Sequence, residues 1–335
     1  MKYEFFEKAL NKRIEQEQYR QMRLVSPQKE SATSDKVNFG TSDFLGLAQN
    51  PLVKKKTIEY VLQWGVGSTA TRLSASHLKC QKLLEEKLAS MIACDATLLF
   101  PSAIQACTLV LSTILNARGA LFIDDLSPMP LVQAAITSGV KPTYFSHGDL
   151  CDLREKLNAA SEAPMRVVIV ESLSSIEGDR ADLAALLDVV NETHSLLFVD
   201  DSLSLGVLGK NGMGLAAAHH GIDFVMGAFG KASGCYGAYI GCNQLMYRFF
   251  SHFCDGIATP LPPAALGAID ATTDLIPKMD AERELIAANS RHLREILNET
   301  WDTCSAEDHI IPIAIPQDEL YDISELLASA GYIVP

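Results

Sequence analysis

Short apolar runs alternate with amphipathic stretches along most of this chain. Residues 96–100 (ATLLF), 167–170 (VVIV) and 196–200 (LLFVD) read as strands buried on both faces, and 120–123 and 224–228 carry weaker versions of the pattern. Helical spacing fills the intervals, for example over 81–93 and 183–193. Strand and helix in alternation predict an α/β fold with a mostly parallel sheet, whose ligands sit at the carboxyl ends of the strands.

The two ends of the chain differ from this middle. Residues 1–30 are polar, with Phe5, Ala9, Leu10 and Ile14 at the spacing of an amphipathic helix, and 26–35 reads as a loop. A second texture begins at Pro260-Leu261-Pro262-Pro263. A long helical pattern over 264–300 leads to a strand-like run over 310–315, a helix over 323–330 and a strand-like run over 332–334. The expected organisation is an N-terminal helix and loop (1–36), a large domain (37–258) and a small α+β domain (259–335).

Composition narrows the function. With 335 residues, 48% hydrophobic and 21% charged, the chain can bury a sizeable core. Lys and Arg number 28 against 41 Asp and Glu, a net charge of −13, which argues against nucleic acid or an anionic membrane as partner. No apolar run approaches the ~20 residues of a membrane span, and the first residues mix both charge signs, unlike a signal peptide. The eight cysteines show no C-x-x-C pair and lie mostly in apolar surroundings, as reduced thiols do. A cytoplasmic protein is expected.

The candidate chemistry follows the strands. Asp200 closes the run 196–200, with Asp201 beside it and a glycine-rich loop (Gly206, Gly209, Gly212, Gly214) after it. An acid placed directly behind four apolar residues is expected to be partly buried and to need a cationic partner. Lys231 follows the run 224–228 among small, uncharged neighbours, a setting suited to a Schiff-base nucleophile. Lysine and carboxylate together match the needs of pyridoxal phosphate, which takes a lysine at its aldehyde and an acid at its ring nitrogen. Ser102-Ala103-Ile104, between a strand and an apolar helix, is a candidate phosphate end.

Segments 38–51 (NFGTSDFLGLAQNP), 65–73 (GVGSTATRL), 96–106 (ATLLFPSAIQA), 171–179 (ESLSSIEGD), 199–214 (VDDSLSLGVLGKNGMG) and 227–241 (GAFGKASGCYGAYIG) resemble, in order and spacing, the α-oxoamine synthases. TPLPP (259–263) resembles the family's turn before its C-terminal domain. These are pyridoxal-phosphate acyltransferases of the fold-type I aminotransferase superfamily. The resemblance implies condensation of an amino acid with an acyl thioester and loss of CO2, of the kind that makes a biotin precursor, in a homodimer. It implies that Lys231 carries the cofactor and moves the α-proton, that Asp200 meets the ring nitrogen, and that Ser175 lies near the cofactor. Ala103 and Ile104 fall at its phosphate-and-ring end, Thr259 reaches the phosphate of the neighbouring subunit, and Arg20 meets the acyl substrate. No metal is implied.

The chain also departs from that pattern. Pro128 stands where the family stacks a His on the ring, Leu203 where it has a second His, and Ala228 where a Thr binds phosphate. Ala103-Ile104 replaces a Gly-aromatic pair, and Gln81 stands for a His. The sequence ends at Pro335, before the family's segment with a carboxylate-binding Arg, so the small domain is expected to be incomplete. The alternative these departures raise is an inactive relative serving as a structural or regulatory subunit of a heterodimer. Bland readings suffice elsewhere: His147 as structural, His219 and His220 as surface or cap, Trp64 and Trp301 as packing. Asp124 and Asp125 lack companions for a metal.

Overall fold

The computed structural model describes residues 2–16, 37–74, 78–115, 119–254, 260–301, 303, 307–316 and 319–334. The expected loop at 26–35 therefore lies outside the described residues, as do Arg20 and Thr259. The chain divides into two compact units, Thr41–Ala314 and Met1–Gly40 with Ile315–Pro335.

In chain order, α1 (Glu4–Glu15) and β1 (Val37–Asn38) open the protein. Helices α2 (Pro51–Trp64) and α3 (Lys79–Met91) precede the main sheet. Then β2 (Ala96–Phe100), α4 (Ala103–Ile114), β3 (Ala120–Asp124), α5 (Met129–Thr137), β4 (Pro142–Phe145) and α6 (Leu150–Ala159) alternate. The alternation continues through β5 (Arg166–Glu171), α7 (Leu183–Glu192), β6 (Leu196–Asp200), β7 (Phe224–Ala228) and β8 (Ala238–Cys242). Helices α8 (Gln244–Phe253), α9 (Pro263–Leu275) and α10 (Asp280–Leu297) follow, and α11 (Leu320–Ser329) and β9 (Tyr332–Ile333) close the chain.

The seven-stranded sheet runs β2-β8-β7-β6-β5-β3-β4. Only β8 opposes its neighbours, so the expected mostly parallel sheet is present. Alternate strand residues feed two apolar layers. Leu99, Phe122, Val168, Val199 and Val225 face the layer shared with α3, α6 and α7. Leu98, Leu121, Ile169, Phe198 and Met226 face the layer shared with α4, α5 and α8. Burial on both faces is why these strands read as continuous apolar runs.

A buried ion pair fixes α3 to the sheet edge. Arg72 Nη2 lies 2.8 Å from Glu85 Oε2, both side chains being 4% exposed. The other oxygen of Glu85 accepts the Leu99 N–H at 2.9 Å. Gln81, at the place of a family His, is fully buried and donates to the same oxygen at 3.4 Å.

Three expectations need correction. The run 310–315 forms no strand: Pro312 within it and Pro316 after it supply no ladder donor. The helical pattern 264–300 breaks into α9, a short 3-10 turn (Ile276–Lys278) and α10, because Pro277 cannot donate in a helix interior. The strands β4 and β8 were not anticipated. In the smaller unit, β1 and β9 pair in parallel, Val37 with Tyr332 and Asn38 with Ile333. Among the described residues no helix is long and apolar enough to cross a membrane.

Candidate active site

Five strand ends converge on one cavity of ≈ 170 Å3. Strand β2 leads to the first turn of α4 with Ala103 and Ile104, and β3 leads to Pro128, Pro130 and Leu131 at the start of α5. Strand β5 ends in Glu171 and β6 in Asp200, which are register partners. Strand β7 ends in Ala228, three residues before Lys231. All of these, with Ser175 and Leu203, line the cavity. The structure thus brings together Lys231, Asp200, Ser175, Ala103 and Ile104. Three of the departures, Pro128, Leu203 and Ala228, line the same cavity.

The adjacent acids have opposite roles. Asp201 has no solvent exposure. Its Oδ1 accepts the Ser172 hydroxyl at 2.6 Å and the Leu215 N–H at 3.1 Å, and its Oδ2 accepts the Ala216 N–H at 3.3 Å. Burial pushes its carboxyl up to about 7 against these hydrogen bonds. Gly214, at φ +89°, lies so close that a Cβ there would run into the Asp201 carboxylate. The glycine-rich loop is therefore folded onto Asp201, and its glycines serve that close approach.

Asp200 points the other way, into the cavity. Its Oδ1 accepts the Ser202 N–H at 3.0 Å. Burial raises its carboxyl pKa, opposed by hydrogen bonding to Ser202 and by the charge of Lys231. The cation it was expected to need is present only at longer range: among the described residues Lys231 makes no ion pair with it. A carboxylate at a strand end, desolvated and with acceptor capacity left over, is prepared for a ligand's proton.

Sequence reasoning missed Glu171. Its Oε2 accepts both the Ser175 N–H at 3.0 Å and the Ser175 hydroxyl at 2.9 Å. Burial pushes its carboxyl up to about 7; the charge of Asp200 adds to this, while Ser175 and Lys231 oppose it. The signal that singled out Asp200, an acid directly behind an apolar run, applies equally to Glu171. Cys107 and Met226 line the cavity as well, their sulfurs 3.2 Å apart.

His147 is held between acids, with Nδ1 2.8 Å from Asp124 Oδ2 and Nε2 3.1 Å from Asp179 Oδ1. Burial opposes its charge, but the two acids outweigh burial and raise its pKa. Among the described residues no cluster of three or more His, Cys, Asp or Glu could hold a metal.

The sequence pattern of the aminotransferase class I and II family matches residues 34–335. The chain belongs to that family. Within it, a protein of Desulfosudis oleivorans, provisionally named 8-amino-7-oxononanoate synthase, is 33% identical over 342 residues, spanning 99% of this chain and 89% of its own. The 8-amino-7-oxononanoate synthase of Gluconacetobacter diazotrophicus is 32% identical over 309 residues, spanning 89% of this chain and 78% of its own. A serine palmitoyltransferase of S. paucimobilis shares the fold, with a TM-score of 0.87 at 19% identity over 100% of this chain and 90% of its own. The α-oxoamine synthase branch and its fold-type I architecture are thereby established for this chain. Aminotransferase class I and II proteins of this kind depend on pyridoxal phosphate.

The donor set suits that cofactor. Helix α4 starts at Ala103, so the N–H groups of Ala103 and Ile104 have no partner within the helix and face an anion favourably. A carboxylate and a primary amine complete the set, one for a ring nitrogen and one for an aldehyde. Apolar side chains, Pro128 and Leu203 among them, form much of the remaining cavity wall.

Proposed function

We propose that this chain is a pyridoxal-phosphate-dependent acyltransferase that joins an amino acid to an acyl thioester with loss of CO2, of the 8-amino-7-oxononanoate synthase type. The observation that carries this reading is the meeting of Lys231, Asp200, Ser175 and the first turn of α4 in one cavity. Lys231 holds the cofactor and moves the proton of the amino acid's α-carbon. Asp200 keeps a proton on the ring nitrogen, and Ala103 and Ile104 receive the phosphate. Bound there, pyridoxal phosphate supplies an electron sink for the charge left on the α-carbon. Burial of Asp200 matters because a charge–charge contact is stronger away from water. The names of the relatives favour 8-amino-7-oxononanoate as the product. A cytoplasmic homodimer, with the cofactor and substrate roles that the resemblance implies for Thr259 and Arg20, completes the reading.

One observation favours a second reading. Pro128, Leu203 and Ala228 remove two imidazoles and a hydroxyl from the cavity wall. At about 0.5–1.5 kcal/mol per lost hydrogen bond, cofactor affinity falls by one to a few orders of magnitude. A chain weakened enough would act as a structural or regulatory subunit of a heterodimer. The visible absorbance of purified protein with added pyridoxal phosphate, wild type beside Lys231→Ala, separates the two. A yellow band in the wild type alone supports the enzyme, and adding amino acids with and without acyl thioesters then identifies the substrates. No band at any cofactor concentration supports the subunit.

A further inference from the structure

Glu171 is a half-buried acid for which the proposed chemistry has no use, yet it lines the same cavity as Lys231 and Asp200. One of its oxygens takes both donors of Ser175. While Glu171 is ionised, the Ser175 hydroxyl is spent on it and offers the cavity only lone pairs. A proton on Oε2 of Glu171 reverses the arrangement: the carboxyl donates to Ser175 Oγ, and the serine hydroxyl turns to donate into the cavity. We propose that Glu171 is a positioning residue that decides, by holding or releasing one proton, whether Ser175 donates a hydrogen bond to an anionic oxygen of the bound cofactor. This rests on the reading of the cavity as a pyridoxal-phosphate site.

The surroundings favour the protonated form. Asp200 faces Glu171 from the end of β6, and like charges on register partners resist joint ionisation. Lys231, beyond β7, is the cation on the same cavity. Glu171 also lines a second cavity of ≈ 250 Å3, whose charged or titratable members are Asp124, His147, Asp179, Arg180 and Asp182. His147 there is bound to Asp124 and Asp179, and Arg180 to Asp308 at 2.6 Å. Those cations are engaged elsewhere, and a carboxyl pushed up to about 7 takes its proton in the neutral range.

The test compares wild type, Glu171→Gln, Ser175→Ala and the double variant. Infrared difference spectra of ligand-free protein, wild type against Glu171→Gln, are expected to show a protonated carboxyl at pH 6 that is lost by pH 8. Ser175→Ala shifts that band. Titration with pyridoxal phosphate is expected to show wild-type affinity falling with pH more steeply than that of Glu171→Gln, by up to about tenfold per pH unit for one proton. Ser175→Ala weakens binding at pH 6 and erases the difference between Glu and Gln at 171. Parallel pH profiles for wild type and Glu171→Gln, or a Gln effect that survives Ser175→Ala, overturn the proposal. If no protein loads the cofactor, the functional reading fails instead, and the infrared band alone decides. A band at pH 6 that moves with Ser175→Ala supports the Glu171–Ser175 proton exchange, and its absence refutes it.

Discussion

Replacing Asp201 with alanine strips the acceptor from three donors at once: the Ser172 hydroxyl and the N–H groups of Leu215 and Ala216. The site is fully buried, so water cannot take over. An unsatisfied buried donor costs about 1–3 kcal/mol. Part of that is returned, because the variant no longer buries a carboxyl that resists ionisation. The net loss worked from these contacts is roughly 3–5 kcal/mol. Asp201→Asn keeps one oxygen for Ser172 and Leu215 and loses about 1 kcal/mol. Asp200→Asn goes the other way. Burial raises the carboxyl pKa of Asp200, so its ionised form works against folding. Removing its charge therefore leaves stability unchanged or higher, while cofactor loading drops. Urea unfolding at pH 7, followed by far-UV circular dichroism, reads all three variants. An Asp201→Ala variant within about 1 kcal/mol of wild type, or an Asp200→Asn variant destabilised as much, would refute the division of labour between the two acids.

Other outcomes follow from the same contacts. Stability is expected to fall as pH rises from roughly 4 to 7, because the folded protein binds more protons there: Glu171 and Asp201 move from 4.5 and 3.8 to about 7. The slope is at most about 1.4 kcal/mol per pH unit per site, and melting curves across that range of Asp201→Asn should show a shallower fall than wild type. Arg72→Met strands Glu85 in a buried position and should cost about 3–5 kcal/mol, read as a shift of the urea midpoint. Ala228→Thr returns a hydroxyl to the cavity wall. It should tighten pyridoxal phosphate by roughly threefold to tenfold in an absorbance titration, and no change would mean that the Ala228 side of the cavity does not face the phosphate.

The strands at 96–100, 196–200 and 224–228 stand in the structure where the sequence places them, because burial on both faces writes an unbroken apolar run into the chain. The same logic made Asp200 legible. Lys231, which nothing in its local spacing marks strongly, was legible through the resemblance. The strand β8 was not, since AYIGC is short, contains glycine and becomes a strand only by pairing with β2 and β7. Nor could the alphabet of residues separate Asp200 from Asp201. Adjacent residues on a strand end point to opposite sides, and which side holds Ser172 and the turn at Gly214 depends on loops folded back from elsewhere. Glu171 carried the same local signal as Asp200, but its partnership with Ser175 and its opposition to Asp200 exist only once β5 and β6 lie side by side. Sequence by itself determined most of the main-sheet strands, the family and two polar groups of the cavity, because burial and cofactor chemistry leave their mark residue by residue. Tertiary structure decided which acid is tied into the fold and which face the cavity, because hydrogen bonds between distant segments and the desolvation they impose have no local pattern.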